Sequence, residues 1–241
     1  ANPDPFGTSL HDVNLTVHSG EVVGIAGISG NGQAELLAAL SGEQISAPQA
    51  ILLNGNPVGN LHAGRRRDKG LAFVPEERLG RGAVPAMTLA QNFMLTAHRN
   101  PDLRRFGLIS RTRARLHAAK CVERFDVRCN GALSAARSLS GGNLQKFIVG
   151  REIMQNPRVL IVAQPTWGVD VGAAAFLRQT LLDISRSGVA VLVVSEELEE
   201  LFEICDRIAV LAGGRLSQPV PREQTDAENI GLLMGGQSQA A

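Results

Sequence analysis

Tyrosine is absent from this chain, tryptophan occurs once, at Trp167, and aromatics make up only 4% of its 241 residues. A protein that stacks nucleic-acid bases on aromatic platforms needs more than this. The net charge of +1 also supplies no global field for nucleic acid or anionic lipid. Lysine is scarce, confined to Lys69, Lys120 and Lys146, so positive charge is carried almost entirely by arginine. Cys121, Cys129 and Cys205 are odd in number and form no close pair of metal-ligand spacing. They read as reduced, buried thiols of a cytosolic protein, and no metal site of the chain's own is expected. No apolar run reaches the ~18 residues that span a bilayer. The opening ANPDPFGTSL lacks the basic and apolar regions of a signal peptide. A soluble protein is expected, held at a membrane only through a partner.

What is present is an apolar fraction of 44%, enough for a proper core, and a βα rhythm. Val13, Leu15 and Val17 alternate like a half-buried strand, and EVVGIA (Glu21 to Ala26) is a continuous apolar strand. A helix through Leu36, Leu37, Ala39 and Leu40 stops near Gly42. Ile51 to Leu53 runs into an Asn54-Gly55 turn, and Leu71 to Val74 is a further strand. The pattern then turns helical, best at Leu89–Leu95, Arg111–Phe125 and Gly141–Met154. After these come strand Val159–Val162, helix Val171–Ser187, strand Val189–Val194, helix Glu196–Ile204 and strand Ile208–Leu211. An α/β core is expected over 1–83 and 138–235, with a helical insertion at 84–137 and a disordered tail at 236–241.

Chemistry concentrates in four stretches. GISGNGQAE (Gly27 to Glu35) lies between a strand and a helix, the setting of a phosphate loop G-x-x-x-x-G-K-[ST]. Gly27, Gly30 and Gly32, with Ser29 and Asn31 between them, let backbone N–H groups converge on an anion at a helix N-terminus. Gln33 stands where the phosphate-reaching Lys belongs, and Ala34 where the Mg²⁺-binding hydroxyl belongs. The first lysine of the chain is Lys69, so no shifted alignment restores the motif. In RVLIVAQPTWGVD (Arg158 to Asp170) an apolar strand ends in Ala163 and Gln164, where an NTPase places Asp for Mg²⁺ and Glu for the attacking water. Glutamine cannot take a proton near neutral pH. VVSEELEE (Val193 to Glu200) is another strand-to-helix junction, acidic in its first turn. LSGGNLQK (Leu139 to Lys146) opens a helix with a hydroxyl and two glycines, an anion site by construction. Singly, the first could be a tight turn and the last a helix cap; their order and spacing favour function.

That order resembles the ATP-binding domain of ABC transporters, from about Leu10 to Gly235. LSGGNLQK is similar to the ABC signature, with Ser140, Gly141, Gly142 and Asn143 at its heart. Gly27–Ala34 matches the Walker A position, Leu160–Gln164 the Walker B position and Trp167–Asp170 the D-loop. Glu76 sits at or near the Q-loop position, and Glu196 stands where most members carry the switch His. GNGQ-x-EL, A-Q-P-T-x-G-x-D-V-G-A and LSGGN-x-QK look like the second ATPase half of tandem sugar- and nucleoside-type importers. The AQPT form resembles the nucleoside branch, which works with a lipoprotein receptor. Two departures stand out: Trp167 where the D-loop pattern has Arg, and Ala34 where this branch has Ser.

The resemblance implies an α/β P-loop NTPase-type core with an antiparallel β subdomain and a helical subdomain. It implies that ATP or ADP binds, with Mg²⁺ only at a site shared with a partner ATPase half. In the family two such domains stack head to tail, each ATP lying between one domain's Walker motifs and the other's signature. Here the signature is kept while the catalytic positions Gln33, Ala163, Gln164 and Glu196 are degenerate. The implied partners are the N-terminal ATPase half of the same polypeptide, transmembrane permease subunits and, indirectly, a solute-binding lipoprotein, with no nucleic acid. The implied place is the cytoplasmic face of the membrane. Residues Glu76–Leu108 would dock the permease. Arg78, Arg81, Arg104 and Arg105 there, with Arg65–Arg67 just before, are either that docking surface or a solvated arginine surface. Phe6 is the nearest candidate to stack on adenine. Two alternatives stand beside this reading: an ATPase competent in its own right, and a soluble ABC protein acting on ribosomes or DNA.

Overall fold

The computed structural model describes residues 7–105 and 108–235; Phe6 and the tail expected to be disordered lie outside them. The strands are β1 (Val22–Ala26), β2 (Leu52–Leu53), β3 (Asn56–Pro57), β4 (Leu71–Val74), β5 (Arg104–Arg105), β6 (Leu108–Ile109), β7 (Val159–Ala163), β8 (Ala190–Ser195), β9 (Arg207–Ala212), β10 (Arg215–Leu216) and β11 (Val220–Pro221). The helices are α1 (Gln33–Ser41), α2 (Ala63–Asp68), α3 (Leu89–Ala97), α4 (Arg111–Arg124), α5 (Gly141–Ile153), α6 (Val171–Arg186), α7 (Leu198–Ile204) and α8 (Ala227–Met234). Among the described residues no helix is long and apolar enough to cross a membrane.

These elements form two compact units. One takes the described residues up to Leu71, then Arg158–Gln164, then those from Leu181 onward; the other takes Ala72–Pro157 and Pro165–Thr180. In the first unit, β1 runs parallel between β8 and β9, β7 runs parallel to β8, and β10 and β11 pair antiparallel with β9. The strands β1, β7 and β8 are apolar and buried, as parallel strands covered on both faces must be. The register sets Ala26 beside Ser195 and Ala163 beside Val194. Three carboxyl ends therefore open at one edge, where α/β sheets bind ligands. A small antiparallel pair, β2 with β3, turns through Asn54-Gly55.

Within the first unit Arg66 ties α2 to α1. Arg66 is fully buried and has no carboxylate partner among the described residues. Its guanidinium donates to the Ala39 and Leu40 carbonyls in the last turn of α1, to Leu61 O (2.8 Å) and to Gly59 O (2.8 Å). A cation at the negative end of α1 suits the helix dipole. In the second unit α3 packs on α4 and α4 on α5. Thr88 and Gln91 close a reciprocal capping box at the start of α3.

Two expectations need correction. Residues 13–17 form no strand: Val13, Leu15 and Val17 are half-buried and alternate with exposed neighbours, but no ladder pairs them. Alternation reports one shielded face, not the presence of an adjacent strand edge. The helix expected from Glu196 begins at Leu198, because Ser195 Oγ accepts from Glu197 N (3.1 Å) and bends the chain first.

Candidate functional site

β1 delivers Gly27 into the glycine loop, and α1 starts directly behind it. Gly32 caps α1 with φ 110°, a left-handed backbone that L side chains rarely adopt. The loop is tied down from both sides. Thr8 Oγ1 donates to Gly30 O (2.8 Å), Asn31 Oδ1 accepts from Gly213 N (2.8 Å), and Asn31 O accepts from Gly214 N (3.0 Å). Ser29 and Gly30 are exposed at the tip, and Ala34 is exposed on the first turn of α1.

Gln33 folds back over this loop. Its Nε2 donates to Ile28 O (2.8 Å) and its Oε1 accepts from Asn31 N (3.1 Å). A β-carbon on Gly27 would lie 2.5 Å from Gln33 Nε2, so the amide rests directly on the backbone of the loop. One of the N–H groups that a phosphate cradle would aim at an anion is thus taken internally. A cavity of about 730 Å³ adjoins the loop, lined by Ile28, Asn31, Gly213, Arg215, Leu233 and Met234. Among the described residues Arg215 is its one ionisable side chain, and that guanidinium is directed to Asp12 (3.4 Å). The cavity offers little else to a triphosphate.

At the same sheet edge β7 ends in buried Ala163 and Gln164. Gln164 N continues the ladder to Val194 O (2.8 Å), and its Oε1 accepts from Glu196 N (3.2 Å). Ser195 Oγ lies 2.9 Å from Glu200 Oε2, to which it donates. Gln164 therefore braces the β8–α7 junction, and Glu196 meets it through its backbone. Gly27, Ser29, Gly30, Asn31, Gly32, Gln33, Ala34, Ala163, Gln164 and Glu196 all belong to the first unit. No carboxylate stands at either strand-end position, 163 or 164.

The second unit holds the LSGGNLQK stretch. Ser140 caps α5: its Oγ accepts from Asn143 N (3.4 Å) and Asn143 Nδ2 (2.8 Å). Asn143 Oδ1 in turn accepts from Arg128 N (2.7 Å), which fixes the cap. Ser140 is exposed, and the Gly141 and Gly142 N–H groups have no acceptor within the helix. A β-carbon on Gly142 would stand 2.9 Å from both Asp170 Oδ2 and Ala173 Cβ. Only glycine lets the stretch after β7 pack this closely on α5. Asp170 Oδ1 accepts from Ala173 N (2.9 Å) and so caps α6. Trp167 is 55% exposed and Val171 85% exposed, so neither is core. Glu76 is exposed in this unit, between β4 and α3.

Two residues of this unit were not singled out for the roles the structure gives them. Lys146, last of LSGGNLQK, faces away from the cap chemistry: it bonds Asp126 Oδ2 (3.0 Å) and lies 4.5 Å from the Phe176 ring centroid. Lys146 also holds the Asp126 carboxyl below its ordinary range through that bond. Arg78, from an arginine-rich stretch, instead turns its guanidinium to the start of α5, donating from Nε to Gln145 Oε1 (3.2 Å). The sequence carried no signal for either placement.

Comparisons place the chain among known proteins. The ABC transporter family profile matches residues 10–167. The guanosine import ATP-binding protein NupO of Bacillus subtilis is 38% identical over 231 residues, covering 96% of this chain and 45% of that protein. The nucleoside import ATP-binding protein NupA of Lactococcus lactis subsp. cremoris is 40% identical over 224 residues, covering 93% and 44%. A ribose import ATP-binding protein of Rubrobacter xylanophilus is 35% identical over 232 residues, covering 96% and 46%. The chain thus spans a little under half the length of these relatives. The dimeric ATP-binding cassette MJ0796, in a post-hydrolysis state with ADP and phosphate, shares the fold. Its TM-score is 0.75 at 24% identity, over 88% of this chain and 90% of that one.

Proposed function

The chain belongs to the ABC transporter family as an ATP-binding domain, and on that premise we propose that it serves an importer of nucleosides or simple sugars by donating its signature to a partner's ATP site. The partner is the N-terminal ATPase half of the same polypeptide. The pair works on permease subunits at the cytoplasmic face of the membrane, fed indirectly by a solute-binding lipoprotein. The names of the relatives and their roughly doubled length support the importer and the tandem arrangement.

The observation that carries this reading is the contrast between two helix starts. At α1 the glycine loop is closed by the Gln33 amide, and no cation stands in the motif. At α5 the Ser140 hydroxyl is exposed, Gly141 is half-buried, and the Gly141 and Gly142 N–H groups have no acceptor within the helix. The residues around α1 do not fit Mg-ATP chemistry. Ala34 and Ala163 offer no side-chain ligand, and Gln164 Oε1 is engaged by Glu196 N. Phosphoryl transfer depends on positioned metal and charge neutralisation, so no hydrolytic step is assigned to this loop. At α5, this chain's own part is to present one hydroxyl and two N–H donors to the terminal phosphate of a nucleotide, with Mg²⁺, held by the partner half.

Calorimetry with Mg-ATP on this chain, with and without the N-terminal half, together with phosphate release, tests the reading. The chain alone should not turn over, while the pair should. Steady turnover by the chain alone would overturn it.

A further inference from the structure

Arg78 stands where an isolated helix start would not favour a cation. A β-carbon on Gly141, the first residue of α5, would lie 3.0 Å from Arg78 Nη1, and one on Gly168 would lie 3.8 Å from Nη2. The guanidinium is thus wedged between the signature turn and the stretch that leads to Asp170. Gly141 leaves it room, while a β-carbon on Gly168 would only touch it. The N-terminal end of a helix carries partial positive charge and favours anions, so a guanidinium there adds charge of the same sign. Burial also pushes the Arg78 guanidinium below its ordinary value, though an arginine stays charged throughout the working pH range.

Nothing among the described residues neutralises it. Its side chain forms no ion pair there, and the one hydrogen bond of that side chain is from Nε to Gln145 Oε1 (3.2 Å). Both terminal nitrogens keep their donors. Gln145, fully buried, is held by that bond through its oxygen, while its Nε2 has no acceptor. Two glycine N–H groups, a hydroxyl and an uncommitted guanidinium face therefore meet at one turn, and the amide that holds the guanidinium is itself left with an orphaned buried donor. Only an anion with several oxygens satisfies such a donor-rich cluster, and the planar fork of arginine matches phosphate.

We infer that Arg78 is a phosphate-binding residue of the shared site, reaching in trans to the terminal phosphate of the nucleotide held by the partner half. This rests on the proposal that the α5 turn faces that nucleotide. Gln145 then acts as a positioning residue that aims the fork. The contact distinguishes a triphosphate from a diphosphate, because only the triphosphate extends a terminal phosphoryl group into the cluster.

The test uses the intact ATPase, this chain joined to its partner half, and reads turnover and the affinity ratio of Mg-ATP to Mg-ADP. Arg78→Ala is expected to lower the preference for ATP over ADP by about tenfold or more, the scale of a lost charged hydrogen bond. Arg78→Gln keeps a partner for Gln145 without the charge, carries the test should the alanine variant fail to fold, and is expected to lose the preference equally. Ser140→Ala reports separately on the signature reading. If Ser140→Ala collapses turnover while both Arg78 variants keep the native ATP-to-ADP ratio, Arg78 is a strut and the inference falls alone. If Ser140→Ala leaves turnover unchanged, the signature reading fails and takes this inference with it.

Discussion

Gln33 Nε2 donates to the carbonyl of Ile28 at 2.8 Å, closing a glycine loop upon itself. The same amide accepts from Asn31 N, so it substitutes internally for part of what a phosphate would receive. A lysine at this position could not accept from Asn31 and would extend toward solvent. Gln33→Lys is therefore expected to raise Mg-ATP affinity of this loop by about tenfold, on the scale of a regained charged contact. It should add no turnover, since Ala163 and Gln164 still provide neither metal ligand nor base. Calorimetry and single-turnover phosphate release check the two halves of that statement.

Gly142→Ala sets a methyl 2.9 Å from Asp170 Oδ2 and Ala173 Cβ. Overpacking of this kind costs about 1–3 kcal/mol. Displacing Asp170 from the start of α6 adds roughly 1 kcal/mol for a lost cap. A fall in the urea midpoint with an unchanged slope is the expected result.

Arg66→Ala leaves the carbonyls of Ala39, Leu40, Leu61 and Gly59 without their buried donor. The expected loss is roughly 3 kcal/mol or more, because hydrogen bonds to charged groups are the strong ones. Arg66→Lys should not restore it, since an ammonium cannot reproduce the fork that reaches these carbonyls. Urea unfolding of both variants measures this.

Burial pushes the Cys121 thiol up to about 12 and the Cys205 thiol higher still. Neither forms thiolate at pH 8, and both are buried, whereas Cys129 is only half-buried. A thiol reagent on the native protein should modify Cys129 first, and the other two only in denaturant.

Glu21 is pushed up by burial, but the side-chain bond from Arg207 (2.6 Å) and the backbone bond from His18 (2.8 Å) outweigh this and hold it below the ordinary carboxylate value. Its stabilising contribution is full above the unfolded value of about 4.3 and is lost as pH falls through the depressed folded value. Glu21→Gln should flatten the acid limb of the stability curve below about pH 5 while leaving its shape near neutrality unchanged.

The apolar strands were legible because burial on both faces writes itself as continuous runs, as in Val22–Ala26 and Val159–Ala163. The start of α5 was legible because a cap and two glycines have local causes. Residues 13–17 misled because alternation says nothing of a neighbouring edge. Helix α2 was not legible: AGRRRD has no apolar period, and Arg66 ties it to α1 over a long range. Arg78 was hidden for the same reason, since its placement depends on Gly141 and Gln145, far along the chain. Side-chain contacts of Gln33 and Gln164 likewise needed coordinates.

The most direct measurement is ATP turnover of this chain joined to the proposed partner half, carrying Ser140→Ala. A signature donor loses about a hundredfold or more, the scale for removing one transition-state donor. Turnover equal to the unaltered protein would contradict the account, and catalysis would then have to be sought at the loop that Gln33 closes.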